Sequence, residues 1–186
     1  MKNLNYLRSL AKGYPKSTKV TVFGAFVWGG GSTMGYKLAG LHHLWGIEID
    51  KKMAMIYVKN HKPTYFYHQD IRAFNRRDDL PDALYQLDIL DGSPPCSTFS
   101  MTGNRESDWW KEKVFREWQK KQVLDELVYV YCDTVAKLKP KVVILENVPW
   151  LLAWRAKKYA ITVYERLAWL GYEVQIFRIN AATMWV

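Results

Sequence analysis

At 186 residues the chain suits one domain with a sizeable core. No run reaches the roughly 18 consecutive apolar residues of a membrane span, and the start lacks a signal peptide's apolar centre. Only Cys96 and Cys132 are present, too few for a disulfide framework or a cysteine-based zinc site, so the expectation is a soluble, intracellular protein with no membrane partner and no metal. With 27 Lys+Arg against 18 Asp+Glu the formal charge is +9, which favours polyanionic partners, nucleic acid first among them.

Residues 1–19 carry Lys2, Arg8, Lys12, Lys16 and Lys19 and no acidic residue, which predicts a solvated basic arm ahead of a single domain over 20–186. A strand is expected from Val20 to Val27. It runs into Trp28-Gly29-Gly30-Gly31-Ser32-Thr33-Met34-Gly35, a glycine-rich turn opening a helix, where backbone can approach a ligand and free N–H groups can meet an anion. A second strand, Leu44 to Ile49, ends in Glu48-Ile49-Asp50. Glu48 lies 17 residues beyond Gly31, the offset at which an acidic residue binds a ribose hydroxyl in dinucleotide-type sites. Asp50, before Lys51 and Lys52, has the place of a helix-starting carboxylate. A third strand, Tyr65 to Gln69, delivers Asp70-Ile71 to the same edge, an acceptor suited to an adenine amino group.

The fourth strand, Leu87 to Asp91, feeds Asp91-Gly92-Ser93-Pro94-Pro95-Cys96-Ser97-Thr98-Phe99-Ser100. Two consecutive prolines stiffen the backbone and exclude it from a strand ladder, so Cys96 is presented at a defined angle, as a nucleophile requires; a plain proline turn is the alternative. In Met101 to Lys121, Trp110, Val114 and Trp118 recur at helical spacing, a core-facing or partner-facing stripe. Cys132 falls in a helix-like segment, Leu124 to Lys137, as a small buried hydrophobe. The fifth strand, Lys141 to Glu146, sets a carboxylate at its end before Asn147 and Val148. In a partly desolvated cleft that carboxylate is expected to hold its proton more tightly and donate it to a ring nitrogen; capping the next helix is its structural alternative. A sixth strand is expected from Tyr172 to Ile179. Helical stretches after the first, second, fourth and fifth strands give a parallel sheet covered by helices, an α/β fold with its site at the carboxyl ends of the strands. His42, His43, His61 and His68 lack metal-ligand spacing and read as surface or core residues.

These motifs, in this order, resemble those of the DNA (cytosine-5) methyltransferases over roughly residues 22 to 186: the glycine turn, Glu48, Asp70, Pro94-Pro95-Cys96 and Glu146-Asn147-Val148. The resemblance implies a Rossmann-like, doubly wound, mostly parallel sheet of the S-adenosylmethionine-dependent methyltransferase type. It implies S-adenosylmethionine as cofactor, with Phe26 against the adenine, Glu48 on the ribose, Asp70 on the adenine amino group, and Gly29, Gly30 and Gly31 along the methionine part. Ile49, Ile71 and Pro94 would complete the cofactor site. Cys96 would attack C6 of a cytosine extruded from double-stranded DNA while Glu146 protonates N3, the covalent step that makes C5 nucleophilic enough to accept a methyl group. A cytoplasmic enzyme of bacterial or viral context, as in restriction–modification, follows from the same likeness.

The chain departs from the family where Gly24 replaces an acidic residue and Trp28 a glycine. Its last stretch, Arg178 to Val186, resembles the start of the family's eighth motif and stops before the target-recognition region and the final motifs. A truncated or split enzyme, completed by a second polypeptide, is therefore expected. A non-catalytic cofactor-binding or DNA-associated module and an RNA cytosine-5 methyltransferase are the alternatives.

Overall fold

The computed structural model describes residues 13–95, 126–152 and 156–184. The expectations placed on the residue 1–12 part of the basic arm, on Cys96 and on the Trp110/Val114/Trp118 stripe lie outside the described residues. Five strands form one sheet: β1 (Thr21–Ala25), β2 (His42–Glu48), β3 (Tyr65–His68), β4 (Ile89–Gly92) and β5 (Val142–Leu145). Every pairing is parallel, and the order is β3-β2-β1-β4-β5. Chain order therefore reverses between β1 and β4, the place where open α/β sheets leave a crevice beyond their strand ends.

Helix α1 (Gly31–Leu38) follows β1 and α2 (Lys51–His61) follows β2; both pack on one face of the sheet. A short α3 (Ile71–Asn75), α4 (Leu127–Leu138) and α5 (Lys157–Trp169) cover the other. Helix α3, not foreseen after the third strand, starts because Asp70 takes the N-cap and accepts from Arg72 N at 2.6 Å. Asp50 does the same for α2, accepting from Met53 N at 2.9 Å. The α3/α4/α5 face holds a continuous apolar core in which Phe23, Phe74, Leu90, Val128, Tyr131, Val135 and Tyr159 are fully buried. Cys132 is buried in this layer, and burial pushes its thiol up to about 11. On β4 Gly92 leaves room for Tyr131, whose hydroxyl lies 2.9 Å from the carbonyls of both Leu90 and Ile144.

The opposite face is built differently. Beneath α1 and α2 lie buried Thr33, His43, His61 and Asp91. Thr33 Oγ1 stands 3.1 Å from both His43 Nε2 and Tyr57 OH. Burial drives the His43 pKa down to about 3, so its ring is neutral within this network. His43 and His61 are thus core residues, whereas His42 and His68 are exposed.

The expected sixth strand does not form. Residues 172–180 carry no strand, and Ile176, Phe177 and Ile179 are more than half exposed. Tyr172 and Val174 pack against the core, so the alternating pattern is real. A strand also needs a neighbour for its backbone groups, and the sheet ends at β5.

Candidate active site

All five strands end at one edge, and the motif residues gather there. The turn after β1 is strained: Phe26 and Trp28 hold φ of 58° and 50°, a left-handed conformation that side-chain-bearing residues seldom adopt. This is the physical reason a glycine is usual where the chain has Trp28. Gly30 has φ of 94°, and a Cβ there would stand 2.0 Å from His61 Nε2, so the end of α2 sits directly under the turn. Gly29 and Gly31 instead face open space, leaving room for a ligand over the turn. Among the described residues no side chain caps α1, which leaves its first N–H groups to an anion or to water.

Glu48 ends β2, 6% exposed, and holds the turn in place. Its Oε2 accepts from Trp28 N at 2.8 Å, and its Oε1 from Ile49 N at 2.9 Å and Asp50 N at 2.8 Å. Burial raises its pKa against the pull of these three N–H donors. Oε1 is saturated, while Oε2 retains acceptor capacity for one hydroxyl. Ile49 is exposed beside it, and its carbonyl faces His68 Nε2 at 3.2 Å. Asp70 is 32% exposed at the start of α3, with Arg72 Nη1 3.4 Å from Oδ2, and Ile71 is buried behind it. Phe26 is half-buried against the core. The residues present thus leave acceptor capacity at Glu48 and at the partly exposed Asp70, with room over Gly29 and Gly31, which fits a polar, nucleoside-bearing ligand at this edge.

The Pro94-Pro95 segment and the Glu146-Asn147-Val148 motif arrive side by side. Glu146 N donates to Gly92 O at 3.0 Å, extending the β4–β5 ladder by one step. Asn147 Nδ2 then donates to Pro94 O at 3.2 Å, clasping the start of the proline loop to the end of β5. Asn147 was named only as part of its motif; its role as a clasp depends on a contact across 53 residues. Pro94 is buried. Cys96 itself lies outside the described residues. The partly desolvated cleft expected around Glu146 is not formed by the described residues: its side chain is exposed, because β5 is the edge strand and residues 172–180 do not extend the sheet over it.

Two further residues stand at this edge with no site role expected from the sequence. Asp91 is 6% exposed at the end of β4, on the α1 side, and Tyr36 of α1 faces it. A carboxylate closing an otherwise apolar strand was the available signal. Among the described residues no cluster of three His, Cys, Asp or Glu side chains could hold a metal ion, and no helix is long and apolar enough to cross a membrane.

A parallel sheet in the order 3-2-1-4-5, with a glycine turn after β1 and a carboxylate ending β2, defines a Rossmann-like α/β domain of the methyltransferase type. Residues 24–185 match the model of the C-5 cytosine-specific DNA methylases, and the chain belongs to that family. It is 27% identical over 164 residues to the type II methyltransferase M1.HphI of Haemophilus parahaemolyticus, covering 88% of this chain and 41% of the relative. With M.Sau96I of Staphylococcus aureus the identity is 31% over 160 residues, covering 86% and 34%. The chain therefore spans about two fifths or less of the length of these curated relatives. Among solved structures, a prophage-encoded E. coli protein assigned as a DNA modification methyltransferase superposes with a TM-score of 0.60 at 20% identity, over 81% of this chain and 38% of that one. The S. pombe Dnmt2 methyltransferase gives 0.50 at 17%, over 78% and 40%. At these identities the two structures bear on the fold alone.

Proposed function

We propose that this chain carries the cofactor-binding and catalytic residues for methyl transfer from S-adenosylmethionine to C5 of cytosine in double-stranded DNA, as a portion of a longer or split enzyme whose target-recognition region is supplied by further polypeptide. The observation that carries this reading is the Asn147–Pro94 clasp, which sets the proline loop leading to Cys96 beside Glu146 at the edge that also bears Glu48 and the glycine turn. Glu48 and Asp70 would hold the ribose and the adenine amino group, with Phe26, Ile49 and Ile71 as apolar walls and Gly29, Gly30, Gly31 and Pro94 along the aminoacyl end. Bound there, the cofactor supplies an electrophilic methyl group.

The protein's share of the chemistry is nucleophilic and acid–base. The Cys96 thiolate adds to C6 of an extruded cytosine as Glu146 gives a proton to N3, so electron density builds at C5, which takes the methyl group. Loss of the C5 proton to a base, departure of the thiolate and return of the N3 proton to Glu146 restore the aromatic ring. The exposure of Glu146 is compatible with this order of events, since an incoming base would itself remove water from the carboxyl group.

Covalent trapping tests the reading. Duplex DNA carrying 5-fluorocytosine, in which fluorine blocks the final elimination, is mixed with the chain and S-adenosylmethionine, and a denaturation-resistant adduct is sought. The expected adduct disappears with Cys96→Ser and persists with Cys132→Ser, because burial holds the Cys132 thiol protonated. An adduct that survives Cys96→Ser would overturn the assignment of the nucleophile. No adduct even after addition of a relative's carboxyl-terminal region in trans would favour a non-catalytic module.

A further inference from the structure

Asp91 is a buried carboxylate of this edge that the proposed function leaves without a task and that, unlike Asp50, caps no helix. In the parallel β1–β4 register Asp91 pairs with Gly24, and both project from the α1 side of the sheet, at the point where chain order reverses. Gly24 cannot carry a side chain there: a Cβ would stand 2.6 Å from Val27 Cγ1 and 3.1 Å from His43 Nε2. Of this pair of positions, β4 therefore carries the charge. Asp91 meets no cation among the described residues. The groups that bear on it are the Tyr36 hydroxyl from α1, the Tyr57 hydroxyl from α2, the Tyr131 hydroxyl from α4 and the Glu146 carboxylate after β5. Three neutral phenols and one like charge do not compensate a buried anion, whose natural complement is a positively charged group.

We propose that Asp91 is the subsite for the ammonium group at the aminoacyl end of the methyl donor. The assignment rests on the cofactor reading above and deepens it. Asp91 lies one residue before Gly92, next to the strand that opens into Gly29-Gly30-Gly31, so an amino acid moiety lying along the turn passes over the β1–β4 seam. The uncapped start of α1 offers N–H groups for that moiety's carboxylate, and Asp91 offers the opposite charge for its ammonium. Tyr36 orients the carboxylate from above. Asp91 has a pKa raised to about 6, chiefly by burial, so it is largely ionised at neutral pH and becomes neutral in mild acid.

The experiment compares two ligands by calorimetry on the whole chain. S-adenosylhomocysteine carries the ammonium and carboxylate; 5′-methylthioadenosine carries the same nucleoside and thioether without either. Asp91→Asn is expected to weaken S-adenosylhomocysteine roughly tenfold to a hundredfold, the range for a lost charge-assisted hydrogen bond, and to leave 5′-methylthioadenosine within twofold. In the unmodified chain S-adenosylhomocysteine should lose about tenfold in affinity relative to 5′-methylthioadenosine between pH 8 and pH 5, as Asp91 takes up a proton; any change at Glu48 acts on the ribose that both ligands share. Equal losses for both ligands, or no loss for either, would overturn the ammonium subsite while leaving the cofactor site standing. Failure of the unmodified chain to bind either ligand would overturn the cofactor reading and the subsite together.

Discussion

Asp88 and Asp91 stand three residues apart, one just ahead of β4 and one within it, and have opposite surroundings. At the amino edge Asp88 is fully partnered: Oδ2 accepts from Thr21 N at 2.8 Å and Thr21 Oγ1 at 3.0 Å, and Oδ1 from Lys141 Nζ at 2.6 Å. These bonds, led by the lysine, pull its pKa down to about 2. It stitches β1, β4 and the start of β5 together. At the carboxyl edge Asp91 is buried with phenols and a second carboxylate for company, and its pKa climbs to about 6. One carboxylate stabilises the sheet; the other is tolerated by it. The difference teaches where this fold stores unfavourable interactions: at the ligand edge, as do the left-handed Phe26 and Trp28.

Glu48 sharpens the contrast, because it sits at the ligand edge yet holds three backbone N–H groups. Glu48→Ala should leave those donors unpaired and destabilise the chain by about 3 to 4 kcal/mol, measured as a fall in the urea midpoint at pH 7.5. Asp91→Asn should do the reverse and stabilise by up to about 3 kcal/mol at pH 7.5. The sign follows from linkage. A carboxyl group whose folded pKa is raised from 3.8 to about 6 costs stability above pH 6, and the cost vanishes as pH falls below 3.8, so the two proteins should converge in acid. A destabilised Asp91→Asn would break the comparison.

Asp88→Ala is expected to cost about 2 kcal/mol at neutral pH. Because its folded pKa is depressed, the stabilisation is present above pH 3.8 and lost as pH falls towards 2; the gap between variant and unmodified chain should therefore close in that window. The smallest effect is expected at a helix cap. Asp50→Ala should cost about 1 kcal/mol in thermal unfolding, chiefly through loss of the α2 N-cap.

Much of the site was legible along the chain, since a residue at the end of a strand is marked by where its apolar run stops. Glu48, Asp70 and Glu146 are marked in this way, and all reach one edge. The structural tasks of the first two are not. Glu48 holds the backbone of the glycine turn, and Asp70 starts a short helix, because each oxygen meets N–H groups brought to it by folding. Tyr172 to Ile179 shows the limit from the other side. Its alternation is that of a strand, yet pairing is a property of two segments and the second is absent from the described sheet.

The sequence by itself determined the alternation of strand and helix, the parallel sheet and the order in which its motifs reach the sheet edge, because periodicity and turn chemistry are local. Only the tertiary structure decided that Gly24 and Asp91 are neighbours, that His61 lies under Gly30, that Asn147 clasps Pro94 and that Glu146 stands open to solvent. Each of these depends on the register and edges of a sheet. Those are set by how distant segments share a core, and no window of sequence contains them.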